Sequence, residues 1–204
     1  GARHAVATIN GTAALHICLL LAGVGRDDEV LVPALAFVAT ANAVSYLGAV
    51  PHLVDSDEAT LGVDPAKLEG YLHDVARVES GACVNRLTKR PIKALVCVHN
   101  LGHPVDLDPL TEVCVRYRLV LIEDAAESLG SLYKGRHTGT IGRLGALSFN
   151  GNKIVTTGGG GAILANDAEL AARAKHLTTT ARLSAGWDFV YDTVGYNYRL
   201  PNIN

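Results

Sequence analysis

Three short segments hold residue types that could do chemistry together. The first is Asn10-Gly11-Thr12-Ala13-Ala14, which runs straight into an apolar stretch. If that stretch is helical, its first N–H groups lack partners and the positive end of its dipole lies there. Such an end is an anion site, and the Thr12 hydroxyl adds a donor. The same residues also read as an ordinary capped helix. The second segment is Val120-Leu121-Ile122-Glu123-Asp124, an apolar strand ending in two acids. Ligands of open α/β sheets gather at the carboxyl ends of strands, so an acid there faces a cofactor or, in the blander reading, plain solvent. The third runs from Ser148 through Lys153 and Thr156-Thr157 to four glycines, Gly158 to Gly161. A partly desolvated lysine becomes a nucleophile toward carbonyls, and glycine lets backbone approach a ligand closely. Alone, this segment reads equally well as a solvated surface loop. Its glycines form neither a P-loop nor the G-x-G-x-x-G of a dinucleotide fold, because an apolar strand rather than a helix follows. In combination the three segments supply what pyridoxal phosphate requires: N–H donors for the phosphate, a carboxylate for the ring nitrogen and an amine for the aldehyde.

These segments need a frame. Short runs rich in Val, Ile and Leu at Glu29–Val32, Pro51–Val54, Ala94–Val98, Val120–Glu123, Ala146–Phe149 and Ala162–Ala165 read as strands buried on both faces of a mainly parallel sheet. Helices are expected at Thr12–Ala22, Val38–Leu47, Pro65–His73, Leu107–Arg118 and Ala168–Leu177. Asp64 before Pro65, Asp106, and Asn166-Asp167 stand as caps, and Gly23 and Gly25 follow the first helix where left-handed backbone is needed. Strand–helix alternation predicts an α/β layered domain. The polar segment Val78 to Arg90 reads as an irregular surface insertion, and the stretch after Thr178 as a long loop of the kind that is often functional. The formal net charge of −2 implies neither nucleic acid nor an anionic membrane surface as a partner. The apolar stretch Ala13 to Val24, interrupted by His16, is too short to span a bilayer. The four cysteines are scattered without a C-x-x-C and read as buried free thiols. The sequence contains no methionine, even at position 1, which reads as a fragment of a longer chain.

The motifs NGTAALH (10–16), DEVLVPALAFVATANAV (28–44), EDAAESLGS (123–131), SFNGNKIVTTGGGGAIL (148–164) and GYNYRLPNIN (195–204) resemble the sugar aminotransferases of the DegT/DnrJ/EryC1/StrS family. The resemblance spans nearly the whole chain. Together with AKHLTTTAR (174–182), it is closest to the branch acting on UDP-linked 4-keto-6-deoxy-N-acetylhexosamines. It implies the three-layer α/β/α large domain of fold-type I pyridoxal-phosphate enzymes over residues 1–204. An N-terminal segment and the C-terminal small domain of the family are then expected to be absent.

Residue by residue, the resemblance makes Lys153 the Schiff-base lysine and proton shuttle, and Asp124 the partner of the pyridine nitrogen. It puts Gly11, Thr12, Ala13 and Ser148 at the phosphate, Phe37 against the ring, and Glu127 near the cofactor where many relatives carry Gln or His. Asn197 would reach the cofactor phosphate of a partner subunit in a homodimer. The implied substrates are L-glutamate and a nucleotide-linked keto-sugar, in the cytoplasm. Lys153 argues against the family's dehydratases, which carry histidine there. A cofactor-binding protein without turnover on the same fold is the rival from another class. Asn100 receives no role. His99 and His103 are spaced like metal ligands but lack a third, so no metal is expected.

Overall fold

The computed structural model describes residues 1–183 and 187–204. The loop expected after Thr178 includes residues 184–186, which lie outside the described residues. In chain order the elements are β1 (His4–Thr8), α1 (Gly11–Leu21), β2 (Glu29–Pro33), α2 (Val38–Tyr46), β3 (Val50–Val54), α3 (Pro65–Val75), β4 (Ala76–Glu79), β5 (Ala82–Asn85), β6 (Pro91–Val98), α4 (Leu107–Arg116), β7 (Val120–Asp124), β8 (Leu132–Tyr133), β9 (Arg136–His137), β10 (Leu144–Ser148), β11 (Gly161–Ala165) and α5 (Ala168–Thr178). Among the described residues, nine strands join one sheet in the order β1-β11-β10-β7-β6-β2-β3, with the β4–β5 hairpin added through β6. The run from β10 through β7, β6 and β2 to β3 is parallel, whereas β11 is antiparallel to both β10 and β1. The sheet is therefore mixed and mainly parallel, as expected.

Helices cover both faces. On one face α1, α2 and α5 pack Ile17, Leu19, Val44 and Leu177 against Val30, Val96, Ile122 and Ile163. On the other, α3 and α4 pack Leu68, Leu72, Leu107 and Leu110 against Leu31, Ile92, Leu95 and Leu121. Each fully buried Leu or Ile contributes roughly 1.5–3 kcal/mol through burial. Helix α1 is apolar almost all round because Ala13 to Leu19 are all buried. Among the described residues, no helix is long and apolar enough to cross a membrane.

The caps divide. Asp64 accepts from the N–H groups of Ala66 (2.9 Å) and Lys67 (3.0 Å), and Asp167 from those of Glu169 (2.9 Å) and Leu170 (3.1 Å). Asp106 does not cap α4; its carboxylate accepts from the Tyr133 hydroxyl at 2.5 Å instead. Gly23 is left-handed (φ 79°), but Gly25 is not among the positive-φ glycines. The segment expected to be an irregular insertion contains a hairpin, β4–β5, turned at Ser80 (φ 48°) and Gly81 (φ 80°). Two successive left-handed residues match the right-handed twist of the flanking strands. Strand β1 was not anticipated from the sequence. It lies at the end of the sheet with β11 on one side, and its short run carries no turn signal.

All four cysteines are buried and free. Burial pushes the Cys83 thiol up to about 11 and the Cys114 thiol up to about 12, so neither is a thiolate near neutral pH.

Candidate active site

The parallel register puts Val98 of β6 and Ala146 of β10 on either side of Asp124, at the carboxyl end of β7. A cleft of about 270 Å³ opens there. Its lining includes Gly11 and Thr12, Phe37, Asp124, Glu127, Ser148 and Lys153. Seven of the nine sequence-derived candidates thus meet in one place; Ala13 and Asn197 do not line it.

At one end is the start of α1. Asn10 caps the helix, its Oδ1 accepting from the Ala13 N–H at 2.8 Å. The Ala13 N–H thus bonds to the cap in this structure. Gly11 and Thr12 remain in the first turn, where a helix offers no internal partner for their N–H groups. Gly11 is needed for closeness. A Cβ there would sit 2.8 Å from Ser148 Cβ and 3.2 Å from its Oγ. The helix start and the Ser148 hydroxyl therefore form one donor cluster suited to a phosphate.

At the other end Asp124 is almost fully buried. Its Oδ2 accepts from the Thr40 hydroxyl at 2.7 Å and its Oδ1 from the Ala126 N–H at 3.2 Å. Burial pushes its carboxyl up. The Thr40 hydroxyl, the Ala126 N–H, His99 and Lys153 pull the other way without cancelling the effect. A carboxylate held in this state binds strongly to a cationic ring nitrogen that would neutralise it.

Lys153, in the β10–β11 connection, lines the same cleft. Its backbone N–H bonds to the Asn150 carbonyl at 3.0 Å, and the hairpin is closed by Phe149 N–H to Gly160 O at 2.8 Å. The amine is 3.1 Å from Glu127 Oε1 and 5.7 Å from the centre of the Phe37 ring, a cation–π distance. Burial pushes Glu127 up, but the Leu101 N–H and Lys153 outweigh it and hold its carboxyl below the ordinary range. The glycine run does not approach the cleft as anticipated. A Cβ on Gly161 would lie 2.6 Å from the Asn10 backbone, so glycine is required where β11 passes the cap of α1.

Three participants received no role at this site from the sequence. Thr40, on α2, holds Asp124. Asn100 donates to the carbonyls of Leu35 (2.9 Å) and Leu61 (2.7 Å), pinning the segment that leads to Phe37. His99 is fully buried, with Nε2 3.0 Å from Glu123 Oε2 and Nδ1 accepting from the Val105 N–H at 3.3 Å. Both ring nitrogens are committed, which leaves none for a metal. Glu123 also accepts from the N–H groups of Gly139 (2.6 Å), Ile141 (2.7 Å) and Gly142 (2.6 Å). Of the two adjacent acids, then, Asp124 faces the cleft, while Glu123 fastens the 139–142 segment to β7.

The residues present fit pyridoxal phosphate: a donor cluster, a buried carboxylate and a lysine amine face one cavity. The profile of the DegT/DnrJ/EryC1/StrS aminotransferase family matches residues 1–204. The GDP-perosamine synthase of Caulobacter vibrioides is 43% identical over 203 residues, covering 100% of this chain and 50% of that protein. A putative pyridoxal phosphate-dependent aminotransferase, EpsN of Bacillus subtilis, is 40% identical over 203 residues, again 100% of this chain and 50% of that protein. The crystal structure of a DegT DnrJ EryC1 StrS aminotransferase from Brucella abortus superimposes with a TM-score of 0.86 at 31% identity, over 100% of this chain and 52% of that one. The chain thus spans about half the length of these relatives. On sequence and fold together, it belongs to the DegT/DnrJ/EryC1/StrS aminotransferase family, whose cofactor is pyridoxal phosphate.

Proposed function

We propose that the protein transfers an amino group from L-glutamate to a nucleotide-linked 4-keto-6-deoxy sugar, for surface polysaccharide or nonulosonate biosynthesis in the cytoplasm. One observation carries the reading: a lysine amine and a buried carboxylate share a cleft with an open helix start. Bound there, pyridoxal phosphate supplies an electron-withdrawing ring that carries the amino group between donor and acceptor. The chain's own residues do the rest. Gly11, Thr12 and Ser148 bind the phosphate. Asp124 keeps a proton on the ring nitrogen. Lys153 Nζ takes and returns the proton that moves in each half-reaction. Phe37 covers the ring and excludes water, and Glu127 orients the lysine amine between turnovers.

Residues 1–204 make up the cofactor-binding large domain in this reading. Asn197 is exposed, in a segment held by Ile9 N–H to Tyr198 O at 2.7 Å, and it serves the phosphate of a second subunit in a homodimer. The motif resemblance favours a UDP-linked N-acetylhexosamine, whereas the Caulobacter relative is named for a GDP-linked product. The nucleotide is therefore left to the assay. Purified protein with pyridoxal phosphate is given glutamate or glutamine and UDP- or GDP-linked keto-sugars, and the aminated sugar is followed by mass spectrometry. Lys153→Ala should lower turnover by about a thousandfold or more. Near-normal turnover in that variant, or none in the wild type with any sugar, would overturn the proposal.

A further inference from the structure

Helical hydroxyls in this protein usually turn inward. Ser45, Thr111 and Thr178 each donate to the carbonyl four residues earlier, at 3.2, 2.7 and 2.8 Å. This back-bonding is the ordinary habit of Ser and Thr in helices. Thr40 breaks it. It sits in the first turn of α2, is 1% exposed, and sends its hydroxyl across to Asp124 Oδ2 at 2.7 Å. That turn also begins at Phe37, the ring on the cleft wall, and the Thr40 N–H bonds back to the Phe37 carbonyl at 3.1 Å. One turn of helix therefore sets both the ring and the donor.

We infer that Thr40 is a positioning residue whose hydroxyl keeps the Asp124 carboxylate ionised and aimed, so that a ring nitrogen brought to it carries the proton. The inference rests on the reading of the cleft as a pyridoxal phosphate site. The physical case is one of placement. Two groups could share the proton, the pyridine nitrogen and Asp124, and burial alone favours the neutral acid. A donor hydrogen bond to Oδ2 stabilises the ionised form more than the neutral acid and so moves the proton toward the ring. His99 and Lys153 also lie near Asp124, without a hydrogen bond to its carboxylate. The Ala126 N–H holds the opposite oxygen, at the longer distance of 3.2 Å. Valine has nearly the shape of threonine and no donor, which isolates the hydroxyl.

The experiment loads the protein with pyridoxal phosphate labelled with nitrogen-15 in the ring and records that nitrogen's NMR shift in wild type, Thr40→Val and Thr40→Ser. Cofactor affinity is measured alongside. A lost hydrogen bond to a charged group should weaken binding by about ten- to a hundredfold. In Thr40→Val the shift should move toward the unprotonated end of its range, and in Thr40→Ser it should return. A role confined to packing would lower stability but leave the shift in place. If Thr40→Val does not fold, Thr40→Ala is measured in its place. An unchanged shift in folded, loaded variants overturns the inference while leaving the cofactor site intact. A wild type that binds no cofactor overturns the reading of the cleft and the inference with it.

Discussion

Replacing Glu123 by glutamine keeps the shape of the side chain and removes its charge. In the fold this carboxylate is fully buried and accepts four hydrogen bonds. Oε1 takes the N–H groups of Ile141 (2.7 Å) and Gly142 (2.6 Å), and Oε2 takes Gly139 N–H (2.6 Å) and His99 Nε2 (3.0 Å). An ionised carboxylate only accepts, whereas an amide presents NH₂ at one of its two ends. Whichever way it is turned, two donors then face a donor. His99 cannot relieve this by switching tautomer without giving up the bond from Val105 N–H. Two orphaned buried donors cost about 1–3 kcal/mol each, so about 4 kcal/mol in total. In a unit of this size that lowers Tm by roughly 10 °C. The assay is thermal unfolding followed by circular dichroism, wild type against Glu123→Gln, repeated across pH. Burial pushes the Glu123 carboxyl up, but the bonds from His99, Gly142 and Gly139 outweigh it and leave it below the ordinary range. A depressed carboxylate contributes fully above its unfolded pKa of about 4.3 and loses its contribution as pH falls through the lower folded value. The gap between the two proteins should therefore hold constant above about pH 5.5 and narrow in acid. A loss under about 1 kcal/mol at neutral pH, or a gap that widens on acidification, would refute the reasoning.

Two further predictions come from close contacts. A Cβ on Gly145 would lie 2.1 Å from the Gly139 carbonyl oxygen, so Gly145→Ala should cost about 3 kcal/mol or more and loosen the 139–142 segment, as measured by urea unfolding and by amide exchange at Ile141. Asn100→Ala removes the donors to the Leu35 and Leu61 carbonyls, which should cost about 2 kcal/mol and raise exchange in the segment leading to Phe37; a variant as stable as wild type would show that those carbonyls do not depend on Asn100.

The frame was legible where local chemistry and burial agree. Runs such as Val120–Glu123 and Ala94–Val98 are apolar because both faces of the sheet are covered, and Asp64 and Asp167 cap because their side chains reach the N–H groups just ahead. What escaped depends on partners far along the chain. Thr40 and Asp124 are 84 residues apart, and Asn100 and Leu35 are 65 apart. No spacing rule joins such pairs before the sheet does. Asp106 shows the reverse error, a local cap signal overridden by the Tyr133 hydroxyl. The hairpin β4–β5 turns at Ser80-Gly81, but β4 is buried only at its first residue and lacks the alternation that identifies a half-buried strand. The two acids of Glu123-Asp124 look alike in sequence. Strand alternation sends them to opposite faces, one to chemistry and one to the frame.

The most direct measurement is borohydride reduction of the protein, as the cell makes it, after incubation with pyridoxal phosphate, followed by peptide mass mapping. The account predicts a phosphopyridoxyl adduct on Lys153, lost in Lys153→Ala. Folded protein with no adduct, or with one on another lysine such as Lys134 or Lys175, would contradict it.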